Sequence, residues 1–183
     1  MSWSVFKSTL LPAMQSYAYG SDMSAFSKAF TTSYDLAIKS GGDIVNGIPL
    51  ISGNKQLMEA TLTSLLLQTQ LSKTTTLLDV IGPAVIAYWA GAKLSLFPSP
   101  SIPAIGAIKN ISTTTAIVLS PGNWTPLPAI PNNDINMFLD TFIQSATLHL
   151  MTVSGIFLVI AQYPPPAPPA PAIINWSGYT IVG

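Results

Sequence analysis

From Phe142 to Gly183 the chain contains no Lys, Arg, Asp or Glu. Across the whole sequence only 8% of residues are charged, against about 25% in an ordinary soluble domain. Apolar residues make up 49%, so a monomer of this composition has too few ionised groups to cover its own surface. Abundant Ser and Thr supply the remaining polarity, and small hydroxyls hydrate a surface weakly while packing well against another protein. A chain of 183 residues is long enough to bury one core of its own, with or without an extended arm. The expectation is a folded domain that hides much of its exterior against other subunits.

The same scarcity excludes several kinds of partner. All seven cations are lysines and the net charge is zero. With no arginine for bidentate phosphate or base contacts and no basic run, no nucleic-acid partner is expected. No cysteine is present, which removes disulfides, thiol catalysis and thiolate metal sites together. The opening Met1-Ser2-Trp3-Ser4-Val5-Phe6-Lys7 lacks a basic segment followed by an unbroken apolar one, so no secretory signal is expected.

Apolar spacing predicts a mainly α fold: an N-terminal helical bundle, a proline-rich and partly β C-terminal region, and an extended C-terminal arm. Val5, Phe6, Leu10, Leu11 and Met14 predict a helix over 3–19, bent or restarted near Pro12. Ser21 and Asp22 suit the start of a second helix, striped by Phe26, Ala29, Phe30, Tyr34, Ala37 and Ile38 and stopped by Gly41-Gly42. Asn54 can cap a third, with Leu57, Met58, Leu62, Leu65 and Leu66. A fourth runs from about Thr76 or Leu77 through Ile81, Val85 and Trp89 to Leu94, with Gly82-Pro83 as a kink or break. Being apolar nearly all round, it should be buried.

The helical region is thus 1–96, followed by a proline-rich connection over 97–132 in which Ile111–Leu119 is the only β-leaning run. Region 133–163 starts with a helix capped by Asn133 and striped by Phe138, Phe142, Ala146 and Leu150. Its continuation, Gly155–Gln162, reads equally as more helix or as a buried strand. In region 164–183, Pro164–Pro171 should form a stiff polyproline arm about 25 Å long at ~3.1 Å per residue. The arm is expected to carry a strand-like tip, Ile173–Val182, away from the helices to a neighbour's sheet edge. The arm should accordingly be removable without unfolding the helices.

Chemistry finds few candidates. Asp140, Ser145 and His149 could supply the parts of an acyl-transfer triad, but there is no nucleophile elbow and Ser145 falls mid-helix, so the single histidine reads as a packed or interface residue. Asp134 and Asp140 are six apart and face different ways on a helix, so no metal site or cofactor is expected. The uncharged run Phe142–Ala161 has bilayer length but contains Gln144, Ser145, Thr147, His149, Thr152 and Ser154, which favours burial in protein over membrane insertion. The residues expected at subunit interfaces are Trp89, Trp124, Ile173, Ile174, Trp176, Tyr179 and Ile181.

Several strings resemble known sequences: the opening Met1–Lys7, Val85-Ile86-Ala87-Tyr88-Trp89-Ala90-Gly91-Ala92, Ala146-Thr147-Leu148-His149-Leu150, Thr152-Val153-Ser154-Gly155, Tyr163-Pro164, and Trp176-Ser177-Gly178-Tyr179-Thr180. Together they resemble small virion proteins of contractile-tailed phages, marine ones included, over nearly the whole chain. The resemblance implies a virion location, a structural role and no site residues. The expected function is non-enzymatic: a tail, baseplate or neck adaptor contacting copies of itself and other virion proteins. A capsid decoration protein and a membrane-active, holin-like protein are the alternatives.

Overall fold

A computed structural model describes residues 3–18, 22–44, 50–69, 77–90, 92–94, 110–125, 127, 134–162 and 170–181. Within them the chain is mainly helical. The helices are α1 (Trp3–Ala18), α2 (Met23–Ile38), α3 (Lys55–Thr69), α4 (Leu77–Trp89) and α5 (Ile135–Leu150). Helices α2, α3 and α5 start where a short polar side chain satisfies a free backbone N–H. The Asp22 carboxylate accepts from Ser24 N–H at 2.8 Å, Asn54 Oδ1 from Leu57 N–H at 3.2 Å, and Asp134 from Asn136 N–H at 2.8 Å. The caps of α2 and α5 are thus Asp22 and Asp134, each one residue after the predicted Ser21 and Asn133, which lie outside the described residues.

Side chains four apart stack on one helix face, and the core is built from such rows: Phe6, Leu10 and Met14 in α1, Phe26, Phe30 and Tyr34 in α2, Met58, Leu62 and Leu66 in α3. Helix α2 packs between α1 and α3, α4 lies against α3, and α5 against α1. Because α2 has neighbours on two sides, it buries a second row as well, Ser27, Thr31 and Asp35. As predicted, α4 is covered nearly all round, with Leu78, Val80, Ile81, Ala84, Val85, Tyr88 and Trp89 buried. It runs through Gly82-Pro83 as one helix and ends at Trp89, so Lys93–Leu94 is a short strand and not its last turn.

The strands are β1 (Gly41–Asp43), β2 (Leu50–Ser52), β3 (Lys93–Leu94), β4 (Asn110–Ser120), β5 (Ser154–Gln162), β6 (Ala170–Ser177) and β7 (Tyr179–Ile181). They form two small pairs, β1 with β7 and β2 with β3, and one antiparallel sheet in the order β4-β5-β6. The predicted strand at Ile111–Leu119 is therefore present, and 155–162 is strand, its β-branched and aromatic residues pairing on both sides.

The C-terminal tip goes elsewhere than the sequence suggested. Strand β6 turns back along β5, with Ile173 opposite Leu158, Ile174 opposite Phe157 and Trp176 opposite Gly155. Strand β7 then closes on β1, Ile181 opposite Gly41 and Tyr179 opposite Asp43. The tip pairs with its own chain, since β5 offers a full-length partner at no loss of association entropy. Residues 163–169, most of the predicted polyproline arm, lie outside the described residues, and they join the far ends of β5 and β6. Removing 164–183 would thus strip two core residues, Trp176 and Tyr179.

The uncharged run Phe142–Ala161 is divided among the end of α5, a turn at Met151–Thr152 and most of β5. Among the described residues no helix is long and apolar enough to cross a membrane.

Candidate functional site

Phe142 is where α1, α2 and α5 meet. Its ring stacks on Phe6 at 5.1 Å, meets Phe30 edge-on at 5.1 Å, and lies 5.9 Å from Trp124 and 6.3 Å from Tyr34. One side chain of α5 thereby touches α1, α2 and the 121–127 segment. Trp124 reaches it because Gly82 leaves a notch in α4: a Cβ at that position would stand 2.2 Å from the indole. Any other residue there would displace the ring, which explains a helix-interior glycine that costs about 1 kcal/mol in propensity.

Beside this aromatic group lies a buried polar cluster that the sequence reading missed. Asp35 on α2, only 3% exposed, accepts from the Tyr88 hydroxyl at 2.8 Å and from Lys39 Nζ at 2.9 Å, with Lys55 Nζ at 3.7 Å. Trp89 Nε1 donates to the Tyr34 hydroxyl at 3.1 Å. Burial pushes the phenols of Tyr34 and Tyr88 well above their ordinary range, and for Tyr88 the Asp35 charge adds to it, so both stay protonated. The arrangement joins α2, α3 and α4. Its trace in the sequence is an acid on the buried side of α2, four residues before Lys39.

Tyr179 extends the cluster to the C-terminus. Its hydroxyl donates to the Ile38 carbonyl at 2.8 Å and accepts from Leu50 N–H at 3.0 Å, while its ring meets Trp89 at 5.1 Å. Tyr179→Phe leaves a buried carbonyl and a buried N–H without that partner, a loss of about 1–3 kcal/mol. Urea unfolding should show the lower midpoint, and an unchanged midpoint would mean that water replaces the hydroxyl.

The catalytic constellation does not assemble. Ser145 and His149 share the buried face of α5, but the Ser145 hydroxyl accepts from Leu127 N–H at 3.1 Å and His149 Nε2 faces the Pro121 carbonyl at 2.8 Å. Asp140 pairs instead with Lys7 at 2.9 Å on the outside. A carbonyl partner requires the proton on Nε2, so the neutral ring leaves Nδ1 as an acceptor, and Nδ1 is buried without a partner. Burial pushes His149 down to about 4, against the opposing pull of the Pro121 carbonyl. Among the described residues no group of three or more His, Asp or Glu could hold a metal ion.

The predicted interface residues occupy different places. Trp89, Trp176 and Tyr179 are in the chain's own core, at 0%, 3% and 2% exposure. Trp124 and Ile181 are half-buried against that core. Ile173 and Ile174 have their backbones in β6, and their side chains lie outside the described residues. Among the described residues, the large apolar side chains that face solvent are Ile44, Leu57, Leu67, Leu148 and Met151, 43–61% exposed. A shallow depression of about 490 Å³ on α3 is lined by Gln56, Glu59, Ala60, Thr63, Ser64 and Leu67.

Around these exposed residues many hydroxyls turn inward. Thr63, Thr141 and Thr147 each donate to the carbonyl four residues earlier, at 2.7–2.8 Å, and Thr9 does so to Val5. A hydroxyl engaged this way is occupied by its own helix, and the outward surface becomes more apolar than the residue type suggests. The outer faces of α3 and α5 are the candidate functional surface. Comparison of the chain with protein-family models, with curated proteins and with solved structures gives no match.

Proposed function

We propose that this chain is a structural component of a phage particle, an adaptor of the tail, baseplate or neck that works through surfaces covered by copies of itself and by other virion proteins. The observation that carries this reading is the set of exposed large apolar side chains on α3 and at the C-terminal end of α5, Leu57, Leu67, Leu148 and Met151, on a chain with 8% charged residues. Assembly covers such surfaces, whereas a free monomer leaves them in water. The resemblance of the quoted strings to phage virion proteins points the same way, and it supplies the particle as the setting.

The test is fractionation of phage-infected cells. The protein should be found in purified particles and stay with isolated tails. Finding it in cell membranes and not in particles would overturn the reading in favour of the membrane-active alternative, and finding it on tail-free capsids would favour the decoration alternative. A double variant, Leu57→Glu with Leu67→Glu, should keep its helical circular dichroism, because both side chains already face water, and should lose incorporation. Normal incorporation would show that α3 is not a contact surface.

A further inference from the structure

Residues 121–125 and 127 form no helix or strand, yet side chains from the end of α5 hold their backbone at three points. His149 Nε2 donates to the Pro121 carbonyl at 2.8 Å, Thr152 Oγ1 accepts from Asn123 N–H at 2.8 Å, and Ser145 Oγ accepts from Leu127 N–H at 3.1 Å. Gly122, at φ +75°, lets the segment lie this close, since a Cβ there would stand 2.6 Å from Thr152 Oγ1. None of these segment residues is fully buried, and parts of a fold with few buried apolar contacts open before the rest.

His149 itself is 1% exposed. Its Nδ1 is buried without a partner, and so is Nε1 of Trp124, whose ring lies 5.8 Å away. With the proton on Nε2 the imidazole is neutral. A second proton, on Nδ1, adds a donor and a charge where the adjacent indole offers only another N–H. No carboxylate offsets that charge. On α5, Asp134 caps the first turn and Asp140 pairs with Lys7 of α1 on the outside. On α4, Asp79 is exposed in the first turn, and β5, β7 and residues 121–127 contain no charged residue. Burial alone lowers His149, to about 4, against the pull of the Pro121 carbonyl. A buried unpaired charge must therefore reach water. Lifting the segment gives it water at the loss of three hydrogen bonds, whereas turning the ring outward requires α5 to unwind. We infer that residues 121–127 are a latch that proton uptake by His149 loosens, baring the contact between Trp124 and Phe142 while the helices stay in place. This goes beyond the assembly reading and does not rest on it.

Hydrogen exchange of the full chain reads the latch directly, because the Asn123 and Leu127 amides make two of its three bonds. Corrected for intrinsic rates, their protection should fall on the order of 100-fold from pH 7 to pH 4, the change set by a histidine that titrates near 6.5 when released and about 4 when covered. At each pH they should exchange at least about tenfold faster than amides in the middle of α2, as local opening does. Low urea should leave their exchange almost unchanged, since little surface is exposed. In His149→Gln, whose amide can still donate to the Pro121 carbonyl but does not titrate, and in His149→Phe, the pH dependence should disappear. Exchange at the same rate as α2, which marks global unfolding, would overturn the inference. So would protection that is indifferent to pH in the native chain, or an undiminished pH response in either variant. If neither variant folds, the comparison with α2 and the urea dependence in the native chain decide the matter.

Discussion

Phe142→Ala is expected to lower the stability of the protein by about 3–5 kcal/mol, the range for truncating a buried aromatic. Against a total of about 5–15 kcal/mol for a domain, that is a large part of what keeps the chain folded. The high end is expected here because the ring's neighbours come from different elements: Phe6 from α1, Phe30 and Tyr34 from α2, and Trp124 from the segment after β4. Collapse into the space would need several backbones to move together, so a cavity remains. Urea titration should show a lower midpoint at an unchanged slope. A loss below about 1 kcal/mol would mean that α5 is not held at this point.

Acidification should destabilise the fold through His149. Burial lowers this imidazole to about 4 in the folded chain, whereas an unfolded histidine titrates near 6.5. Between these values the unfolded chain binds a proton that the folded chain does not, so stability falls as pH drops from about 6.5 towards 4 and levels off below. The full difference corresponds to about 3 kcal/mol at ~1.4 kcal/mol per pH unit. The sequence contains a single histidine, so the slope between pH 5 and 6.5 can be assigned. In His149→Phe that slope should flatten. The variant should be weaker than the native chain at pH 7, having lost the Pro121 contact, and should approach it near pH 4. An equally steep slope in the variant would locate the acid sensitivity elsewhere.

Much of the helical part was legible in the sequence. The rows Phe6-Leu10-Met14, Phe26-Phe30-Tyr34 and Met58-Leu62-Leu66 are spaced for one helix face, and that periodicity depends on neighbouring residues alone. The same holds for the cap at Asn54, for the β-branched run Ile111–Leu119, and for the burial of α4, whose residues leave no polar side to show to water. Asp22 was read as favourable to its helix end and is its cap. Charge scarcity was legible too, and it led to the expectation of covered surfaces.

What the sequence misplaced depends on contacts between distant residues. The prolines of 164–171 suggested a spacer leading outward, yet β6 returns along β5 and seats Trp176 and Tyr179 in the core. Whether a strand pairs with its own chain or with another is decided by which open edge stands nearest, and local propensity carries no record of that. The Asp35 cluster was hidden for the same reason: its partners Tyr88 and Lys55 lie far along the chain, and only the packing of α2 between its neighbours brings them together. Gly82 was read as a helix breaker because its actual task, making room for Trp124, is visible only once α4 and the 121–127 segment are in contact. Helix positions and the poverty of charge were thus determined by the sequence itself. Which aromatic residues became core and which apolar ones stayed outside was decided by the tertiary structure, because burial belongs to the assembled elements and not to any one of them.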